Sequence, residues 1–316
     1  MNTLYAIGEM LIDFTAQEPG VLELASTFRK NAGGAPANVA VCAARLGCPA
    51  SVITKLGKDP FGNFLANTLA SENVGTQYVF RTGKANTALA FVARDERGER
   101  SFSFYRNPSA DMLLEEEEVR TIPFKEGDIL HFCSVDLCDA PVRMAHVVAI
   151  ERARAAGALV SFDPNLRYNL WESAEELLRV VREFLPLADI VKVSDEELLD
   201  ITGIEDEKKA VESLFKGEVK LVFVTKGKGG AAAYTKETEA WEPTDLTSPV
   251  VDTTGAGDSF IGTILSIILE KGVTLSREDL SEMLRTANRA ATIVVSREGA
   301  IPAMPTRAEL FGENKA

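Results

Sequence analysis

Two histidines, His131 and His146, are all the sequence contains, which leaves little material for Ser-His-Asp catalysis or a histidine-rich metal site. The four cysteines fall as Cys42 with Cys48 and Cys133 with Cys138, spacings that match no CxxC zinc or redox motif. They read as reduced, buried, small apolar residues. A basic stripe is also missing. Lys plus Arg total 34 against 47 Asp plus Glu, a formal net charge of −13, so nucleic acid and anionic membrane are poor partners. No apolar run reaches a bilayer span, the most apolar stretch being Phe260 to Leu269. The opening MNTLYAIGEMLIDF has no basic region, so a cytoplasmic location is expected. What is present suffices for a core: with 316 residues and 46% hydrophobic composition the chain is no disordered, collagenous or disulfide-scaffold protein.

Short β-type runs alternate with helical patterns, predicting an α/β fold with a mainly parallel sheet covered on both faces. Core strands are expected at Thr3–Gly8, Ser51–Lys55, Ile129–Cys133, Leu159–Phe162, Ile190–Val193 and Leu221–Thr225. Helices are expected from Pro36 to a stop at Gly47, from Val142 to Ala156, and from Ala174 to Phe184. The acidic run Glu115–Glu118 reads as a solvated helix start. Met10–Leu24 and Asn86–Tyr105 break the rhythm: β-rich and without helical period, with a turn at Arg94–Gly98, they suit a small antiparallel lid or, alternatively, edge hairpins of the main sheet. One α/β domain of residues 1–316 is expected, with lid segments at about 10–30 and 86–108.

Two segments carry chemistry. Val250-Val251-Asp252-Thr253-Thr254-Gly255-Ala256-Gly257-Asp258-Ser259-Phe260 joins an extended apolar pair to a glycine-rich turn and a buried helix. Such a turn leaves the first helical N–H groups free to hold an anion. Asp258 falls in that first turn, where a carboxylate stays ionised; it is then a weak base, but phosphoryl transfer needs positioning more than early proton removal. Alone, the turn is equally an ordinary helix start with an acidic cap. No GxxxxGK[ST] occurs, since Lys58, Lys84 and Lys228 are followed by Asp59, Ala85 and Gly229, and no Rossmann βαβ unit surrounds the turn. The second segment is Asn31-Ala32-Gly33-Gly34-Ala35-Pro36-Ala37-Asn38, whose glycines allow close backbone approach and whose Pro36 starts a helix that projects Asn38 back toward a ligand. A plain strand-to-helix loop is the competing reading.

Together these segments resemble the two signatures of the ribokinase-like, PfkB-type carbohydrate kinases, and the resemblance extends over essentially the whole chain. Phe104–Leu113 (FYRNPSADML), Asp163–Arg167 (DPNLR), Val191–Glu197 and Gly299–Pro302 narrow it to the fructokinase members. The resemblance implies a three-layer α/β/α sandwich with a β lid, and ATP- and Mg²⁺-dependent phosphorylation of D-fructose at O6. It implies Asp258 as general base, the amides of Gly255, Ala256 and Gly257 as anion hole, and Arg167 near the transferring phosphate. Sugar contacts would come from Asp13, Gly33, Gly34, Asn38 and Arg106. The nucleotide side would use Lys192, Ser194, Thr225, Gly227, Gly230 and Asn288, with Glu197 ordering Mg²⁺ through water. The family's N-x-x-E motif stands here as Ser194-Asp195-Glu196-Glu197, with Ser194 replacing its Asn. A K⁺ site would take Asp252, Thr254 and backbone oxygens around Val294, Arg297, Gly299 and Ala303. A homodimer through the lid is implied as well. The alternatives are a 2-keto-3-deoxygluconate kinase or another PfkB-type sugar kinase and, outside the enzymes, a catalytically silent sugar or nucleotide sensor.

Overall fold

The computed structural model describes residues 2–94, 100–245, 249–273 and 276–312. The chain runs β1 (Leu4–Ile7), β2 (Leu11–Ala16), β3 (Phe28–Gly33), α1 (Ala35–Arg45), β4 (Ala50–Gly57), α2 (Pro60–Ser71), β5 (Val79–Thr82), β6 (Leu89–Arg94) and β7 (Arg100–Tyr105). It continues through α3 (Glu116–Val119), β8 (Ile129–Cys133), α4 (Pro141–Ala155), β9 (Leu159–Asp163), α5 (Ala174–Phe184), β10 (Ile190–Ser194), α6 (Asp195–Thr202) and α7 (Glu207–Leu214). The last part is β11 (Leu221–Thr225), β12 (Ala231–Tyr234), β13 (Glu239–Glu242), α8 (Ala256–Lys271), α9 (Arg277–Val295) and α10 (Arg307–Phe311).

Nine strands form one sheet in the order β13-β12-β11-β10-β9-β8-β1-β4-β5. It is parallel from β11 to β5, while β12 and β13 add an antiparallel hairpin at one edge. The central strands are buried on both faces, which explains their mainly apolar composition; the exceptions, Ser51, Thr54 and Lys55 on β4 and His131 on β8, are buried with them. One face packs against α1, α2, α8 and α9 through a cluster containing Leu46, Leu65, Phe260, Ile264 and Leu284. The other packs against α4 to α7 through Phe132, Phe162, Val181, Leu198 and Leu214. The core strands and the three helices expected from sequence lie where the pattern puts them. The run Glu115–Glu118 starts α3 with a capping box, and its Glu118 carboxylate also pairs with the buried Lys55 at 2.6 Å.

A separate four-stranded sheet, β3-β2-β6-β7, is built from the two segments that broke the helical rhythm. It is not purely antiparallel as expected. β2 and β6 run parallel, pairing Ile12 with Leu89 and Thr15 with Val92. Between them the chain passes through the main sheet at β4 and β5, so β6 enters in the same direction as β2, as a crossover requires. The expected turn at Arg94–Gly98 falls largely outside the described residues. Among the described residues no helix is long and apolar enough to cross a membrane. The cysteines are free; Cys42, Cys48 and Cys133 are buried, but Cys138 is only partly so. His131 and His146 are fully buried, and desolvation lowers them to about 3 and about 4, so both are neutral core residues.

Candidate active site

All seven parallel strands point their carboxyl ends to one edge of the sheet, where an open α/β fold places its ligands. There, between the sheet edge and the small sheet, lies a cavity of about 990 Å³. The motif of the last quarter of the chain forms one wall. Gly255 is the N-cap of α8 with φ +82°, a conformation only glycine adopts without strain. A Cβ there would also meet the Ala300 side chain at 3.0 Å. The first-turn amides of α8 have no partner within the helix. Of those expected to hold an anion, the Ala256 amide already makes a long bond, 3.4 Å, to the Thr253 carbonyl. Val250 and Val251, expected as an extended pair, form no strand and are exposed.

Asp258 faces the cavity from that first turn. Asn38, in the first turns of α1, donates from Nδ2 to Asp258 Oδ2 at 2.8 Å. Burial pushes the Asp258 carboxyl above the usual aspartate range, while the Asn38 donor and the charges of Lys192 and Arg167 pull it back. Arg167 lines the cavity, its Nη1 donating to the Leu166 carbonyl at 3.0 Å.

Lys192 is placed by strand register. Val191 pairs with Phe162 across β10 and β9, so the next residue on each strand, Lys192 and Asp163, become neighbours. The Lys192 ammonium lies 3.0 and 3.2 Å from the two Asp163 oxygens, both groups buried. Burial raises Asp163 to about 6 against the opposing pull of Lys192; burial also disfavours the Lys192 ammonium, but the carboxylates of Asp163, Glu197 and Asp258 together outweigh it and drive its pKa upward, so the ammonium stays charged. A Cβ on Gly257 would come within 3.0 Å of Lys192 Nζ; the glycine lets the cation sit against the α8 turn.

On the small-sheet side, Asp13 lines the cavity from β2. A Cβ on Gly33 would lie 2.0 Å from Asp13 Oδ2, and one on Gly34 (φ +113°) 2.4 Å from the Glu9 carbonyl. Gly34 is therefore required by close approach to backbone, whereas a side chain at Gly33 would displace the Asp13 carboxylate. Arg106 is placed differently from the expectation. It does not line the cavity but is buried behind it, its guanidinium held by Asp111 at 2.5 Å and by Asp136.

The remaining expected residues lie further along the same sheet edge. Ser194 and Thr225 pair at the carboxyl ends of β10 and β11. Gly227 (φ +50°) is exposed, and Gly230 (φ +87°) leaves no room for a side chain against the Glu242 carbonyl, 2.2 Å away. Ser194 and Glu197 form a capping box for α6: Ser194 Oγ accepts from the Glu197 amide and Glu197 Oε2 from the Ser194 amide. Glu197 Oε1 accepts from the Leu166 amide at 2.8 Å, so this carboxylate ties α6 to the loop carrying Arg167. Asn288 donates to the carbonyls of Glu242 and Pro243, fixing the strand end beside Gly230.

Asp252 is a hub. Its Oδ1 accepts from Thr254 N (3.0 Å) and Oγ1 (2.7 Å), and its Oδ2 from the Gly299 amide (3.2 Å). The amides of Val251 and Asp252 donate to the Val295 carbonyl. These bonds draw the segment holding Val294, Arg297, Gly299 and Ala303 against the α8 turn. Among the described residues no cluster of three or more His, Cys, Asp or Glu could hold a metal.

Sequence reasoning assigned no role to Asp163 or Glu9. Asp163 ends a strand in the DPNLR segment, a visible signal. Glu9 is buried, lines the cavity and accepts from the Ala35 amide at 3.2 Å through Oε1; its only sequence signal is an acid between Gly8 and an apolar run.

A carboxylate set beside helix N-terminal amides and a buried lysine, at the carboxyl edge of a parallel sheet, suits a small-molecule phosphotransferase. The comparisons agree. The pfkB family carbohydrate kinase model matches residues 1–307, and the chain belongs to that family. It is 45% identical over 309 residues to probable fructokinase-2 of Arabidopsis thaliana, covering 96% of this chain and 93% of the relative. The crystal structure of fructokinase with bound ATP from Xylella fastidiosa superposes with TM-score 0.87 at 38% identity, covering 98% of this chain and 96% of the other. Fructokinase from Vibrio cholerae O395 in its fructose-, ADP- and calcium-bound form gives TM-score 0.87 at 34% identity, covering 98% of each chain.

Proposed function

We propose that this chain is an ATP-dependent fructokinase that transfers the γ-phosphoryl group of MgATP to O6 of D-fructose. The observation that carries the reading is the Asp258 carboxylate held by Asn38 in a cavity shared with the α8 amides, Lys192 and Arg167. Asp13, the Gly33-Gly34 backbone and Asn38 would bind the sugar. Asp258 would take the O6 proton as the loose transition state forms, and the amides of Gly255 and Gly257 would hold the transferring group. Ser194, Thr225, Gly227 and Gly230 at the ends of β10 and β11 and beyond would border the nucleotide.

The donor set fits a metal held mainly by the substrate's phosphates: Glu197, already committed to two amides, would reach Mg²⁺ only through water. Mg²⁺ supplies charge neutralisation to the phosphates. The Asp252 hub and the carbonyls near it suit a hard monovalent cation such as K⁺, which would stiffen the α8 turn. Small-sheet residues Phe102 and Phe104 line the cavity mouth, which supports that sheet acting as a lid that excludes water. Tyr105 and Phe102, exposed on this sheet, support its pairing with a second copy. A cytoplasmic enzyme remains the reading, consistent with the acidic composition.

A panel of fructose, ribose, 2-keto-3-deoxygluconate and nucleosides, assayed by ADP release, tests the substrate. Fructose is expected to lead in kcat/KM; a large lead by another acceptor would overturn the assignment. Saturable fructose binding without ATP turnover would instead identify a sensor.

A further inference from the structure

Two polar atoms in the cavity wall have no partner although both are fully buried: Glu9 Oε2 and Asn38 Oδ1. Both are acceptors if Glu9 is ionised, and two buried acceptors without donors are costly. One proton on Glu9 removes both deficits. The placement fits. Glu9 Oε1 accepts from the amide of Ala35, the first residue of α1, and Asn38 projects from the same helix three positions on, on the face that leans back toward that first residue. Asn38 Nδ2, the other end of the same amide, is the donor to Asp258. Because an amide's two ends are fixed relative to each other, whatever holds Oδ1 also aims Nδ2.

We propose that Glu9 is a positioning residue: in its protonated form the carboxyl group donates from Oε2 to Asn38 Oδ1 and thereby fixes the Asn38 N–H toward the Asp258 carboxylate. This rests on Asp258 being the base. The surroundings favour the neutral form. Burial is the largest influence and lifts Glu9 to about 7; the charge of Arg106 and the Ala35 amide oppose it, and Asp111 also favours the proton. The Cys133 thiol, which feels the charge of Glu9, is pushed far up by burial and stays neutral.

Two substitutions separate this role from mere packing. In Glu9→Gln the side-chain oxygen must still accept from Ala35, so the NH₂ faces Asn38 and replaces the carboxyl proton; Glu9→Leu keeps the bulk and supplies no donor. The expected result is that E9Q holds kcat within about threefold of wild type, whereas E9L loses about tenfold or more and its acid limb moves to higher pH, as loss of the Asn38 donor to Asp258 requires. KM for ATP is unchanged in both. Above pH 7 the wild-type kcat declines as Glu9 ionises, and E9Q abolishes that decline, a comparison that holds even where E9L fails to fold. E9Q and E9L behaving alike, or wild type and E9Q having the same profile above pH 7, would overturn the inference. Failure of the base reading is distinguishable: it appears as near-normal turnover in Asp258→Asn, whatever the Glu9 variants do.

Discussion

The side-chain amide of Asn38, on α1, donates to the carboxylate of Asp258, on α8, across 2.8 Å of space and 220 positions of sequence. A hydrogen bond to the ionised form lowers a carboxyl pKa, so this contact offsets part of the upward push of burial on Asp258. Asn38→Ala should move the acid limb of the pH–kcat profile to higher pH, because the base then keeps its proton longer. An unmoved limb would separate Asn38 from the base.

Asp258→Asn preserves the shape and the acceptor for Asn38 but removes the base. Turnover should fall by roughly 10²-fold or more, the usual scale for losing a general base, while fructose binding by calorimetry is retained. Turnover near that of wild type would take Asp258 out of the role given to it.

Gly33→Ala sets a methyl group 2.0 Å from Asp13 Oδ2, a separation no side chain tolerates, so Asp13 must move. KM for fructose should rise about tenfold or more, the cost of one misplaced charged hydrogen bond, with KM for ATP unaffected. Equal rises for both substrates would point to general damage.

Lys192→Met leaves Asp163 buried without its cation, a loss of about 3–5 kcal/mol by urea unfolding at neutral pH. The sign with pH follows from the raised Asp163 pKa. A carboxyl protonated more readily in the folded state loses stabilisation as pH rises from the unfolded value, near 3.8, to the folded one, about 6 here. Without the ammonium that upper limit moves higher, so the deficit should grow as pH rises through 6. A deficit independent of pH would mean that the pair is not what holds Asp163.

Asp252→Ala removes the acceptor for Thr254 and Gly299 together. A fall in kcat of about tenfold is expected, together with loss of any stimulation by K⁺ measured at constant ionic strength. Full K⁺ response in the variant would move the cation site elsewhere.

Much of the molecule is legible in its sequence because the signals are local. Central strands such as β4 and β8 are mainly apolar since both faces are covered, the first helix announces itself by Pro36 and its stop by Gly47, and the GAGD turn carries its own N-terminal chemistry. The family follows from those motifs, and with it the identity of Asp258, Asn38 and Lys192. What the sequence could not supply are relations between distant segments. Whether β6 pairs with β2 in parallel depends on the path through β4 and β5; whether Arg106 faces a ligand or two aspartates depends on where the turns holding Asp111 and Asp136 pack. Asp163 becomes the partner of Lys192 only through the register of β9 against β10. Glu9 is an unremarked acid in the sequence, and only its burial beside the first turn of α1 makes its proton consequential. Periodicity and turn chemistry are written residue by residue, whereas desolvation and partner choice exist only once the layers close.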